Sequence, residues 1–222
     1  MSSTSFISAD TEYFKSTPWC NDLISSPYLV LFTPTCRQPE SNETGASRDQ
    51  FFRKSLNHDN AIPHCIGLYH DPTKTPNGGR SAPEPSREDP ELYVKSASLL
   101  CDLRPGLNSY NGTAHGGLIA TLVDESMGSL ILVNHITQAA LEEKGHKLPE
   151  GTLDLNNTRV LTANMTVRFQ KPLPTPSIAL VTTTFVKTKG RKLFFDVRVT
   201  GEGGREYAQC DGLWISMPLQ KI

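Results

Sequence analysis

The most regular pattern in the chain is an apolar stripe with helical spacing. Its members recur at steps of three and four residues: Leu118, Ile119, Leu122, Val123, Met127, Leu130 and Ile131. This spacing predicts one amphipathic helix from about His115 to Asn134. Small residues on an adjoining face, Gly117 and Gly128 among them, would let another backbone come close.

Segments rich in β-branched and aromatic residues surround this helix. They cover about 92–103, 159–170, 177–187, 192–200 and 205–216. Turn residues separate the last four, which is typical of antiparallel hairpins. One long helix among antiparallel strands predicts an α+β domain over 92–222, because a sheet needs a cover for its apolar face.

The first 91 residues have a less regular hydrophobic pattern. They predict a short helix over about Asp10–Leu23 and a strand over Tyr28–Phe32, with polar or proline-rich loops at about 38–49 and 71–90. We interpret 1–91 as an irregular N-terminal extension that packs on the core.

Composition excludes several classes of function. A net charge of -1 provides no field for nucleic acid or an acidic membrane surface. The five scattered cysteines include no C-x-x-C pair, which indicates a reducing compartment and no metal site. No apolar run approaches the roughly 20 residues of a membrane span, and the start of the chain lacks a secretory signal. We expect an intracellular, cytoplasmic protein without membrane insertion, with a mitochondrial or other organellar location left open.

Asp124 interrupts the apolar helix. A carboxylate in such a helix is costly unless it is paired, solvated or shifted in pKa. It is therefore either a functional group or a solvated residue on the far side, beside Glu125. At the start of the same helix, Gly116 and Gly117 follow His115, and free N–H groups there can face a developing negative charge. The Gly117 N–H is our candidate oxyanion donor, a role that can contribute ~3 kcal/mol.

Two segments, Asn111–Gly128 and Leu161–Pro172, resemble in the same order the helix and following strand of PaaI-like hot-dog-fold acyl-CoA thioesterases, in particular longer, fungal-type members. The resemblance implies an antiparallel sheet wrapped around one long central helix. It also implies that Asp124 is general base or nucleophile, that Thr162 positions water or substrate, and that His115 to Gly117 binds the thioester carbonyl. Coenzyme A would enter only as part of the substrate, with no further cofactor.

Helix geometry adds a constraint on this site. His115 and Asp124 are nine residues apart, which places them about half a turn out of phase and ~13–14 Å apart along the axis. Their side chains cannot easily flank one carbonyl. A homodimer, or a dimer of dimers, in which Gly117 of one subunit meets Asp124 of the other removes the conflict.

The other candidate residues are less constrained by the sequence. Strict strand alternation pairs Thr162 with Asn164 on the face opposite Met165, so that Thr162 would point away from the helix and find its neighbours in the partner subunit. An asparagine before His115 could contact substrate, and Asn108 and Asn111 both qualify. Basic side chains could bind the phosphates of coenzyme A or could simply be solvated at turns. These are Arg168, Lys171, Lys189 and Arg191.

The sequence therefore predicts hydrolysis of an acyl-CoA or acyl-carrier-protein thioester. Two alternatives stay open: a hot-dog dehydratase or hydratase, and a non-catalytic protein that binds acyl thioesters. The absence of a G-x-S-x-G motif argues against a serine α/β-hydrolase.

Overall fold

A computed structural model describes residues 3–38, 49–72 and 89–218. Its helices are α1 (Ser3–Lys15), α2 (Pro18–Ile24) and α3 (Gly116–Glu143). Its strands are β1 (Leu29–Phe32), β2 (Cys65–His70), β3 (Ser96–Leu103), β4 (Asn108–Tyr110), β5 (Thr113–Ala114), β6 (Thr158–Phe169), β7 (Ser177–Lys189), β8 (Lys192–Thr200) and β9 (Glu206–Pro218).

Seven strands form one antiparallel sheet in the order β1-β2-β3-β7-β8-β9-β6. Helix α3 packs on one face of this sheet and contacts β3, β7, β8, β9 and β6. The predicted α+β hot-dog architecture is confirmed: one long helix lies along a large antiparallel sheet. Strand β6 is an edge strand in the part of the chain that the structure describes.

Helix α3 runs nine residues further than the apolar stripe predicts, to Glu143 instead of Asn134. Two polar residues beyond the stripe, Asn134 and Gln138, are buried and hydrogen-bonded. Asn134 binds both backbone groups of Val94, and the Gln138 amide bonds to the backbone of the 153–155 segment. By length and composition α3 could span a membrane, yet half of its most apolar window is buried inside this fold.

The N-terminal region is more regular than its sequence predicts. Strands β1 and β2 extend the main sheet through pairing with β3, so the hydrogen-bonded sheet crosses the boundary drawn at residue 91, and the division there stays a prediction. Helices α1 and α2 cover the outer face of the sheet, the face opposite α3. Phe14, Ile24, Ile66, Leu68 and Leu100 form a buried cluster there.

The single helix predicted over Asp10–Leu23 is wrong. Pro18 begins a second helix, and Thr17 before it is extended, with φ -103 and ψ 118, because proline disfavours helical geometry in the preceding residue. The strand predicted at Tyr28–Phe32 is confirmed as β1. Most of the two predicted loops lies outside the described residues.

A β-bulge in β6 changes which side chains face α3. The pairing of β6 with β9 shifts register between Thr162 and Asn164, leaving Ala163 as the extra residue. Val160 and Met165, an odd number of positions apart, both pack on the core as a result. Thr162 therefore faces α3, and the orientation predicted from strict alternation is wrong.

Candidate active site

Asp124 and Thr162 form a hydrogen-bonded pair within one chain. The Thr162 hydroxyl donates to Oδ1 of Asp124 across 2.7 Å, and the Asp124 side chain is half-buried on α3. The neighbour expected from the partner subunit is thus supplied by the same chain. Because Thr162 holds one carboxylate oxygen, Oδ2 is left to contact another molecule.

His115 caps the N-terminus of α3. Its backbone is extended, with φ -65 and ψ 135, and its Nδ1 accepts the N–H of Gly117 across 2.9 Å. The amide that the sequence nominates as oxyanion donor is therefore bonded to imidazole in this conformation. The lone pair of His115 Nδ1 is thus occupied by this amide.

Backbone hydrogen bonds join the segment before α3 to the loop after β6. The Ala114 N–H donates to the Leu173 carbonyl at 2.9 Å, and the Thr175 N–H donates to the Gly112 carbonyl at 3.1 Å. The Asn108 side chain contacts the Thr175 hydroxyl, so its visible role is to join these two loops. Asn111 is exposed in the β4–β5 turn.

A pocket of about 350 Å³ opens beside the first turn of α3. Gly116 and Ile119 contribute its helix side, and Phe169 and Lys171 its strand side. Tyr110, which is 80% exposed, stands at the rim. An apolar pocket next to a helix N-terminus can accept a group attached to a carbonyl.

The four basic residues named in the sequence analysis do not form one cluster. Arg168 pairs with Asp211 at 2.6 Å on the outer face, and this carboxylate raises the pKa of the guanidinium. Lys189 and Arg191 are exposed around the β7–β8 turn. Lys171 lines the pocket beside Gly116.

Glu125 connects α3 to the N-terminal region, a contact that sequence reasoning missed. Its carboxyl lies close to the buried Cys36 thiol and to Arg37. Burial raises the pKa of Glu125 above its ordinary value. Local sequence carries no signal for this contact, because Cys36 lies 89 positions earlier.

Across the described ranges, no three His, Cys, Asp or Glu side chains lie close enough to hold a metal ion. At this site the described residues offer a carboxylate, a hydroxyl and the backbone N–H of a glycine at a helix N-terminus.

Residues 111–208 match the thioesterase superfamily. Verlamelin biosynthesis protein B of a Lecanicillium species is 25% identical over 214 residues, covering 93% of this chain and 87% of that protein. Acyl-coenzyme A thioesterase THEM4 of Bos taurus is 26% identical over 118 residues, 53% of this chain, and the match spans only 39% of that relative. A hypothetical thioesterase protein of Streptococcus pneumoniae, solved with coenzyme A, aligns with TM-score 0.45 at 14% identity, covering 60% of this chain and 88% of that one.

Proposed function

We propose that this chain, whose residues 111–208 match the thioesterase superfamily, hydrolyses an acyl-CoA or acyl-carrier thioester at a site built from Asp124, Thr162 and Gly117. The observation that carries this proposal is the Thr162–Asp124 hydrogen bond. It orients a half-buried carboxylate beside the edge strand β6. The THEM4 relative, by its name an acyl-coenzyme A thioesterase, supports acyl-CoA as the substrate class.

In the proposed reaction Asp124 is the general base. Thr162 holds Oδ1, so Oδ2 takes a proton from a water molecule whose oxygen adds to the thioester carbonyl carbon. The C–S bond then breaks, and the thiolate leaves and receives a proton. The products are a free carboxylic acid and a thiol. Direct attack by Asp124 would give the same products through an acyl anhydride that water then cleaves.

The Gly117 N–H stabilises the oxyanion that forms in this reaction. It now donates to His115 Nδ1, and the substrate carbonyl oxygen replaces the imidazole as its acceptor. The amide is already oriented by the first turn of α3, so little reorganisation is needed when charge develops. In this reaction His115 caps the helix only until the substrate carbonyl replaces it, and His115 takes no part in the proton transfer.

Two chains complete each site. Helix α3 separates Gly117 from Asp124 by about 10 Å along its axis, too far for one carbonyl to contact both. The edge strand β6 carries Leu161 and Phe169 with more than half of each side chain exposed. Antiparallel pairing of two β6 strands about Met165 would bring the Thr162 end of one near the Phe169 end of the other, and hence Asp124 of one protomer near Gly116 and Gly117 of its partner.

The basic side chains outside the Arg168 pair would bind the substrate's phosphates. Lys171 lies at the pocket, and Lys189 and Arg191 border the β7–β8 turn. These groups supply charge for coenzyme A or for a carrier's phosphopantetheine.

The test is thiol release from a panel of acyl-CoA substrates. Asp124→Asn should lower kcat by about 10²- to 10⁴-fold, because it removes the base, while thermal unfolding stays unchanged. Asp22→Asn, at an exposed position on α2, is the matched control. A dehydratase would release no thiol, and a binding protein would show no turnover in any variant; either result contradicts the proposal.

A further inference from the structure

Two cross-strand rows on the outer face of the sheet, the face opposite α3, form what we call the outer patch. The first row runs through Leu161, Ile215, Lys192 and Lys189. The second row runs through Asn164, Leu213, Phe194 and Lys187. Their chain neighbours Leu193 and Trp214 are buried in the main core, and side chains alternate along a strand. Both rows therefore project away from α3.

The end of the outer patch on β6 and β9 is apolar and open. Leu161 is 53% exposed, and Leu213, Ile215 and Phe194 are half-buried. Helices α1 and α2 pack towards the opposite edge of the sheet, where their buried cluster includes residues of β2 and β3. Edge-to-edge pairing of two β6 strands joins the sheets side by side and leaves their faces open. The patch can therefore contact another molecule in the monomer and in the proposed dimer.

The end of the outer patch on β7 and β8 is basic. Lys189 and Lys192 lie directly opposite each other, although like charges in that position destabilise a sheet. Lys187 lies two residues before Lys189, with its Nζ 5.6 Å from the ring centre of Phe194. Among the described residues none of these three lysines forms an ion pair.

Further along the same face the basic side chains are neutralised. Arg168 is paired with Asp211, and Arg198 is paired with Asp196. Beside the lysines, Asp89 bonds to the backbone of the β7–β8 turn, and this one carboxylate leaves the three lysines with an excess of positive charge. Unpaired cations next to exposed apolar side chains favour a partner that is both acidic and apolar.

The size of the outer patch fits a small and transient contact. Four strands span about 14 Å, roughly the width of one α-helix with its side chains. A stable interface needs about 800 Å² on each partner, which is more than two such rows offer. A second copy of this chain would bring the same lysines against themselves across a two-fold axis. Charge and size thus favour an acidic amphipathic helix of a different protein.

We propose that the outer patch docks an acidic carrier protein, which delivers the acyl group as a thioester of its phosphopantetheine arm. This inference rests on the proposed hydrolase function and names the carrier as the source of the substrate. An acidic helix of the carrier pairs with the three lysines, and its apolar side chains cover Leu161 and its neighbours. The first row ends at the β7–β8 turn, so the arm rounds the end of the sheet there to reach the face that carries α3 and Asp124.

The kinetic test compares one acyl group on two thiols. The substrates are decanoyl thioesters of an acidic acyl carrier protein and of pantetheine, and the wild-type protein should prefer the first in kcat/KM. Lys187→Glu/Lys192→Glu should lower kcat/KM for the carrier-protein substrate roughly tenfold, because it replaces attraction with repulsion, and should leave pantetheine turnover unchanged. The wild-type preference should also fall as ionic strength rises from about 0.05 M to about 0.5 M, which screens surface charge.

The charge reversal keeps the fold intact. Lys192→Glu removes the like-charge contact with Lys189, so the double variant should unfold at no lower temperature than the wild-type protein. Lys15→Glu/Arg205→Glu is the matched control, with the same change in charge at exposed positions outside the patch, and should keep the preference for the carrier-protein substrate. An equal loss on both substrates, or in both double variants, would overturn the proposal.

Binding without turnover separates the docking from the hydrolase assignment. An acyl carrier protein whose decanoyl group is attached through an amide releases no thiol, and fluorescence anisotropy measures its affinity for the wild-type protein and for Lys187→Glu/Lys192→Glu. Affinity lost in the variant supports the docking even if no thioester is hydrolysed. Equal affinities overturn it, as does lysine-dependent binding to phosphatidylserine vesicles in place of the carrier. If acyl-CoA is hydrolysed while the carrier protein neither binds nor reacts, only the docking proposal fails.

Discussion

Thr162 donates to Oδ1 of Asp124, which fixes Oδ2 as the oxygen that the proposed reaction uses. Thr162→Val removes the hydroxyl at nearly constant volume and should lower kcat about 10- to 100-fold, the range for a lost hydrogen bond to a charged group. Thr162→Ser keeps the donor and should retain most of the activity. Steady-state thiol release measures both; equal rates for the two variants would show that the bond does not orient the base.

The oxyanion donor can be removed at the backbone. Proline lacks an N–H yet is tolerated in the first helical turn. Gly117→Pro should lower kcat by about 10²- to 10³-fold if its amide stabilises the oxyanion.

Gly116→Pro is the matched control, because it deletes the neighbouring amide and because His115 already has the extended geometry that precedes proline. Circular dichroism would confirm that both variants keep the helical content of the wild-type protein. A greater loss in Gly116→Pro would move the oxyanion role to that residue.

At single positions the sequence was informative where a residue broke a pattern. Asp124 stood out because a carboxylate interrupted an apolar stripe, and the glycines because they opened a helix. Thr162 was oriented wrongly because one inserted residue, Ala163, reverses the alternation of a strand, and nothing in the composition of β6 announces a bulge. The bond from Gly117 to His115 depends on a side-chain rotamer, which periodicity does not predict.

The helices and strands with the most regular hydrophobic pattern were predicted most accurately. The strands β6 to β9 lie within two residues of their predicted bounds. The end of α3 was missed because Asn134 and Gln138 read as polar, although tertiary hydrogen bonds satisfy both. No bounds were predicted for strand β2, because its burial comes from contacts with β3 and α1 that lie far away in sequence.

The contact between α3 and the N-terminal region makes stability depend on pH. Burial raises the pKa of Glu125 above its ordinary 4.5, so folding disfavours the ionised form. The contribution of Glu125 is fully present below that ordinary value, where the acid is protonated in both states, and is lost as pH rises through the higher folded pKa. Glu125→Gln should abolish this loss. Urea unfolding from pH 4 to pH 8 would show a flatter stability profile in the variant; parallel profiles would exclude Glu125 as the cause.

For the molecule as a whole, the free edge of β6 and the separation along α3 lead to the same arrangement. A long, unpaired edge strand with exposed apolar side chains is a template for pairing with another chain. The same pairing would carry Asp124 of one protomer toward Gly117 of its partner. One contact would thus both cover the edge and complete the site, and a monomer would hold only two half-sites.

This arrangement predicts complementation between two inactive chains. In a heterodimer of Asp124→Asn and Gly117→Pro protomers, one site combines both defects, whereas the other combines an intact Asp124 with an intact Gly117. Random assortment of equal amounts makes half of the dimers mixed, each with one working site of two, so the mixture should regain about one quarter of wild-type activity. Co-expression with two affinity tags isolates the mixed dimers, and thiol-release assays on this doubly tagged fraction should give about half of wild-type activity. Sites contained within single chains would leave that fraction as inactive as its two parents, since neither chain then carries a complete set of groups.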